Sequence, residues 1–290
     1  MAGVAGPVPT REEAVQVLQS QYNEELQPQF ASYRTATIAL IEKEDVREIL
    51  LPLLREAKER NGGNAVRVLE IACGSGFYTF DLLSWGADRV TAVDLSADMI
   101  GAAEARAKAA GVTAVDFQIA DISVSKRYGD EPFDLVFGAW PLEYAKDRAA
   151  LVAMYANVAA NLKTGGCFVV VTRVPDADPR AVNEATNRLR PRGGGQVLIQ
   201  NLESTPEGVL VRLYAADAAH KDVSFVCIHW NRETYESAAR DAGLLGELSW
   251  TLTRVPEKWL ATEAAPGGAS REEILSYREI PEYGILKVRK

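Results

Sequence analysis

Residues 66–79 read VRVLEIACGSGFYT. Val66, Val68, Leu69 and Ile71 make an apolar run that suits a strand buried on both faces. Glu70 interrupts the run near its end. Gly74 and Gly76 follow directly, and 77–85 reads as the first turns of a helix. A strand that ends in a tight glycine turn and feeds a helix gathers free backbone N–H groups and a positive dipole end at one point. Glycine serves that turn in two ways. It takes positive φ, and it lets a ligand lie against bare backbone.

Two patterns for nucleotide-like ligands compete for this turn. A dinucleotide fingerprint reads G-x-G-x-x-G, with the third glycine packing helix against strand. Thr79 occupies that third position, so the pattern is incomplete. The other pattern is E/D-x-x-x-G-x-G, which Glu70, Gly74 and Gly76 satisfy at every fixed position.

The flanks decide between them. The second strand, 89–95, reads RVTAVDL and carries Asp94 at its end, 18 residues after Gly76. One crossover helix needs about that spacing. An acid at that strand end faces the same crevice and can accept two ribose hydroxyls. Ser96 is the N-cap of the next helix, and Met99 can lie flat on an adenine face. The third strand, 114–120, leads into Asp121 and Ile122, a second carboxylate placed to accept from an exocyclic adenine amine. The fourth strand, 133–138, reads FDLVFG and opens into Gly138-Ala139-Trp140-Pro141-Leu142-Glu143-Tyr144.

Residues 66–173 thus resemble the core of class I S-adenosylmethionine-dependent methyltransferases. The stretches ACGSGFYT, VDLSADMI and FDLVFGAWPLEYA resemble the small-molecule N-methyltransferase subgroup typified by toxoflavin synthase. HWNRETYESAARDAGL at 229–244 and EYGILKVRK at 282–290 extend the likeness. The resemblance implies an α/β, Rossmann-like doubly wound sheet of seven mostly parallel strands, the last running antiparallel. It implies S-adenosyl-L-methionine as cofactor and S-adenosyl-L-homocysteine as its product. The implied cofactor residues are Tyr22, Glu70, Ala72, Gly74, Gly76, Tyr78, Asp94, Leu95, Met99, Asp121, Ile122, Gly138 and Ala139. The backbone carbonyls of Gly138 and Ala139 are expected to take the methionine amine.

Bulk properties bound the partners. At 290 residues the chain can bury a sizeable core. Its 47% apolar and 25% charged content is that of an ordinary soluble domain. A net charge of −8 argues against a nucleic-acid partner, which needs a cationic face. The expected partner is a small molecule, with the chain a monomer or homodimer. Cys73, Cys167 and Cys227 lie far apart and read as reduced and buried, which fits a cytoplasmic protein. No run approaches the ~20 apolar residues of a membrane span, and the first residues lack a signal-peptide core.

In chain order, 1–62 reads as an N-terminal helical lid, with a capping box at Thr10 and aromatics Tyr22, Phe30 and Tyr33. Residues 63–175 form the cofactor-binding core. Three successive strand-like runs within 176–230 read as an antiparallel β insertion, expected to cap the carboxyl edge of the sheet over the substrate. Residues 231–290 complete the core sheet.

Methyl transfer from a sulfonium is an in-line displacement, so alignment and exclusion of water are the protein's main work. With two histidines and no compact ligand cluster, a metal is not expected. Tyr33, Trp140, Tyr144 and His229 are the candidate substrate residues. Trp140 and Tyr144 supply flat walls that suit an aromatic or heterocyclic acceptor. His229 and Tyr144 are the candidate catalytic residues, His229 as a base tuned near neutrality. The absence of an [ND]-P-P-[YF] motif after the fourth strand disfavours a nucleobase or protein-amide target. The alternatives are a protein of the same fold that binds the cofactor without methylating, and a nicotinamide dehydrogenase, which Thr79 and Glu70 disfavour.

Overall fold

The computed structural model describes residues 34–189, 197–215, 224–260 and 267–290. Helix α1 (Thr37–Arg60) leads into β1 (Arg67–Ile71). Then follow α2 (Thr79–Trp85), β2 (Arg89–Asp94), α3 (Ala97–Ala109), β3 (Val115–Ile119) and β4 (Phe133–Ala139). A 3-10 turn (Leu142–Tyr144) precedes α4 (Arg148–Asn161) and the long strand β5 (Leu162–Arg173). The main sheet has the order β3-β2-β1-β4-β5-β10-β9, where β9 is Leu248–Leu252 and β10 is Tyr283–Arg289. Strands β1 to β5 pair in parallel. Strand β10 inserts antiparallel between β5 and β9. This is the expected seven-stranded, mostly parallel architecture.

The unbroken apolar runs follow from burial on both faces. In β5, Phe168 and Val170 enter one core, with Tyr155 of α4. Val169 and Val171 enter the other, with Leu50 and Leu54 of α1. Side chains that alternate between two cores must be apolar at every position. The helices start where the sequence places their caps. Ser96 accepts from the Met99 amide at 3.3 Å, and Asp147 accepts from the Ala150 amide at 2.8 Å. All three cysteines are free and buried.

After β5, α5 (Pro179–Leu189) leads to an antiparallel sheet of β6 (Val197–Thr205), β7 (Gly208–Ala215) and β8 (Ser224–Trp230). Helix α6 (Arg232–Asp241) follows, capped by Asn231. Two further helices, α7 (Glu257–Leu260) and α8 (Arg271–Glu279), precede β10. The three-stranded sheet is present, and its described strands pack against the main core. Val209, Val211, Val226 and Ile228 pack into the same core as Leu142, Tyr155 and Val170, behind the 3-10 turn. Among the described residues, none from 176–230 lines the crevice at the edge of the main sheet. Apolar side chains on that sheet gain more by joining the core than by facing an open edge. Among the described residues, no helix is long and apolar enough to cross a membrane.

Candidate functional site

Strand order reverses between β1 and β4, and a crevice of about 770 Å³ opens there, at the carboxyl ends of β1 to β4. This is the switch point at which open α/β sheets take ligands. The volume lies within the usual range for a small-molecule site.

The loop after β1 forms one wall. Ala72 and Gly74 adopt φ of 54° and 53°, and both line the crevice. A Cβ placed on Gly74 would meet no atom within 4 Å. Bare backbone therefore borders open space. The Gly74 amide donates to Asp94 Oδ2 at 2.8 Å, and the Ser96 amide donates to Asp94 Oδ1 at 2.9 Å. Asp94 thus ties the loop after β1 to the loop after β2. Burial raises its pKa, and the two amides pull against that rise. Leu95, 53% exposed, joins Met99 and Ile122 as apolar lining. Asp121 lines the same part of the crevice, and its Oδ1 accepts from the Ser123 amide and hydroxyl at 2.8 and 2.7 Å.

Ala139, Trp140, Pro141 and Tyr144 form the wall that follows β4. Trp140 holds a left-handed φ of 66°, an uncommon conformation for a bulky residue. Its amide donates to the Val171 carbonyl at 2.9 Å, and its Nε1 donates to Glu42 Oε2 at 3.0 Å. The 3-10 turn that ends in Tyr144 is fastened from behind at its first two residues. The Tyr235 hydroxyl and the Arg173 amide both donate to Glu143 Oε1, at 2.8 and 2.9 Å. The Trp230 Nε1 donates to the Leu142 carbonyl at 2.9 Å. Burial pushes the Glu143 carboxyl up to about 7.

Ten of the sequence candidates line this crevice: Ala72, Gly74, Asp94, Leu95, Met99, Asp121, Ile122, Ala139, Trp140 and Tyr144. Five do not, and each has a structural reason. Glu70 is buried beneath the loop, where its carboxylate accepts from the Thr79 hydroxyl at 2.5 Å. Gly76 turns the chain at φ 82°, with a virtual Cβ 3.1 Å from the Phe80 ring. Tyr78 is a core residue, its ring edge-on to Phe137 at 5.0 Å and its hydroxyl donating to Glu42 at 2.8 Å. Gly138 lets β4 press against β1, since a Cβ there would lie 2.7 Å from Ile71 Cγ1. His229 is 2% exposed and its Nδ1 lies 2.8 Å from Asn183 Oδ1. That position, within the small sheet and away from the crevice, removes the expected contact with substrate. Tyr22 and Tyr33 lie outside the described residues.

Sequence reading missed Arg34 and Lys146 on the crevice and Glu42 behind it. The signal for Glu42 was present. Glu42 and Asp45 stand at helical spacing between Ile38, Ile41 and Ile49, so two acids occupy the apolar stripe of α1.

Sheet order, switch-point crevice and strand-end acid define the class I methyltransferase fold. Residues 68–166 match a family model described as a methyltransferase domain. The mRNA cap guanine-N(7) methyltransferase of Caenorhabditis elegans is 34% identical over 143 residues, covering 43% of this chain and 36% of that protein. A ubiquinone biosynthesis O-methyltransferase of Rhizobium leguminosarum bv. trifolii is 33% identical over 146 residues, covering 49% and 56%. The chain therefore spans about half, or less, of the length of these curated relatives. Among solved structures, a protein of Pyrococcus horikoshii OT3 superposes with TM-score 0.55 at 20% identity, covering 89% of this chain and 95% of that one. An amino pentose methyltransferase of Micromonospora echinaspora, solved with bound S-adenosylmethionine, gives TM-score 0.51 at 16% identity, covering 93% and 98%. At such identities the structural likeness is one of fold.

Proposed function

We propose that this chain transfers a methyl group from S-adenosyl-L-methionine to a nitrogen or oxygen of a small aromatic or heterocyclic metabolite. The observation that carries this reading is the open space over the Gly74 backbone, facing the same crevice as Asp94 on one side and Trp140 on the other. Bare backbone facing open space fits a ligand lying flat on the loop. In this reading Asp94 holds the ribose hydroxyls, Met99 and Ile122 sandwich the adenine, and Asp121 takes its amine. The backbone of Ala139 meets the methionine end.

The cofactor supplies an electrophilic methyl group on a sulfonium. Trp140 and Tyr144 orient the acceptor beside it and exclude water, and such alignment is the larger part of catalysis for a reaction of this type. Tyr144 lines the crevice beside Trp140, and we assign its hydroxyl a hydrogen bond to the acceptor. The match of residues 68–166 to a methyltransferase domain supports the reading. The two curated relatives are named for an O-methylation and for guanine N7, so their names leave the accepting atom open.

The test incubates the protein with a metabolite extract and methyl-labelled cofactor and follows the label by mass spectrometry. A labelled small molecule that depends on active protein is the expected result. Calorimetry with S-adenosylhomocysteine against NADH runs beside it. Binding of NADH alone would overturn the reading in favour of a dehydrogenase, and binding of S-adenosylhomocysteine with no labelled product would leave a cofactor-binding protein.

A further inference from the structure

Glu42 of α1 lies outside the crevice and is 3% exposed. Three donors converge on its carboxylate, each from a different segment that builds the crevice. The Trp140 Nε1 donates to Oε2 at 3.0 Å. The Tyr78 hydroxyl, in the loop after β1, donates to Oε1 at 2.8 Å. The Arg34 guanidinium pairs with Oε1 at 3.1 Å and stacks 4.7 Å over the Phe77 ring. Arg34, Phe77 and Trp140 all line the crevice. Burial and the Glu42 charge both hold Tyr78 in its protonated, donating form.

A buried carboxylate is costly unless it is paired and hydrogen-bonded. Here the donors suffice, and Trp140 is a residue whose backbone is already held in a left-handed conformation. Left alone, a bulky residue relaxes out of that region. Resting on the methyltransferase reading given above, we propose that Glu42 is a positioning residue that fixes the indole of Trp140 as the acceptor wall. The consequence for specificity is direct. The only donor of that ring is spent on Glu42, so the indole itself offers the acceptor a π surface and no hydrogen bond. It therefore selects a flat or cationic ring system over a polyhydroxylated acceptor, which needs hydrogen bonds from its pocket.

The test is spectroscopic and needs no acceptor. In a ¹⁵N–¹H spectrum of the full chain, the indole resonance that disappears in W140F belongs to Trp140. A hydrogen bond to a buried carboxylate should slow its exchange with solvent by about tenfold or more relative to a free indole. In Glu42→Gln the group loses one acceptor oxygen while three donors still point at it, so that resonance should move and exchange faster. A Trp140 resonance that exchanges at the free rate in the parent protein overturns the proposal, whether or not Glu42→Gln folds. A resonance unmoved in a folded Glu42→Gln also overturns it. Titration with S-adenosylhomocysteine is read separately in the same samples. Failure to bind it would sink the methyltransferase reading and leave the Glu42–Trp140 contact standing.

Discussion

The Thr79 hydroxyl donates to the Glu70 carboxylate across 2.5 Å, and both side chains are buried. The residue that spoils the dinucleotide fingerprint is thus the partner of the acid that completes the alternative pattern. Thr79 opens α2, so this one contact pins the helix to the end of β1. Replacing Thr79 with Val keeps the shape and removes the donor. The buried carboxyl then loses its partner, and unfolding by denaturant should show a loss of about 1–3 kcal/mol. A parent-like midpoint would mean that Glu70 needs no partner there.

Glu70 also predicts a pH dependence. Burial raises its pKa to about 8 from an ordinary 4.5. The folded chain keeps a proton that the unfolded chain releases between those values. The contribution to stability is therefore full below about pH 4.5 and is lost as pH climbs toward 8, with a slope of at most about 1.4 kcal/mol per pH unit. Glu70→Gln cannot titrate. The difference in unfolding free energy between parent and Glu70→Gln should change across pH 5–8, and a constant difference would show that Glu70 is ionised in the fold.

Asp94→Ala removes the acceptor that faces both the Gly74 amide and the crevice. Binding of S-adenosylmethionine and S-adenosylhomocysteine should weaken between about tenfold and a hundredfold, the value of a charged hydrogen bond. Calorimetry that finds equal affinities would take Asp94 out of the site.

Two glycines make contrasting predictions. Gly74→Val meets no atom but puts a β-branched residue at φ 53°, so the chain should lose some stability, still fold, and fail to bind S-adenosylhomocysteine. Gly138→Ala places a methyl 2.7 Å from Ile71 Cγ1, so it should lower the melting temperature of the protein whatever its effect on binding. Normal binding by Gly74→Val would reduce the loop to a structural turn.

The sheet and the crevice walls built by the loops after β1 to β3 were legible because their causes are local. A buried parallel strand must be apolar throughout, a tight turn must have glycine, and strand-end acids follow at crossover spacing. The Glu42 network was not legible in the same way, because Trp140 lies 98 residues from Glu42 and only the fold brings them together. Helix α8 was overlooked although its signal is local. Ser270 and Glu273 carry a readable capping signature, and Ser270 does accept from the Glu273 amide at 3.1 Å. The small sheet was readable as three strands, yet its placement was not. Alternation tells which side of a strand is buried and says nothing about what buries it.

His229 shows the same limit and yields the last prediction. Asn183 donates its side-chain amide to Asn201 Oδ1 at 2.8 Å, which leaves the Asn183 oxygen as the acceptor for His229 Nδ1–H. That fixes the tautomer, with Nε2 unprotonated and without a hydrogen-bond partner among the described residues. Burial, reinforced by the charge of Arg173, holds the imidazole pKa well below 6.5. The unfolded chain therefore takes up a proton that the folded chain refuses. His229 contributes stability that is present above about pH 6.5 and lost as pH falls below it. His229→Asn keeps a side-chain amide to donate to Asn183 and cannot titrate. Its stability should fall less steeply than that of the parent between pH 6.5 and 5. Methylation by His229→Asn should follow the parent profile across pH 6–9, because a ring sealed in the core has no path to an acceptor. Loss of one limb of that profile, with cofactor affinity intact, would return His229 to the role of base.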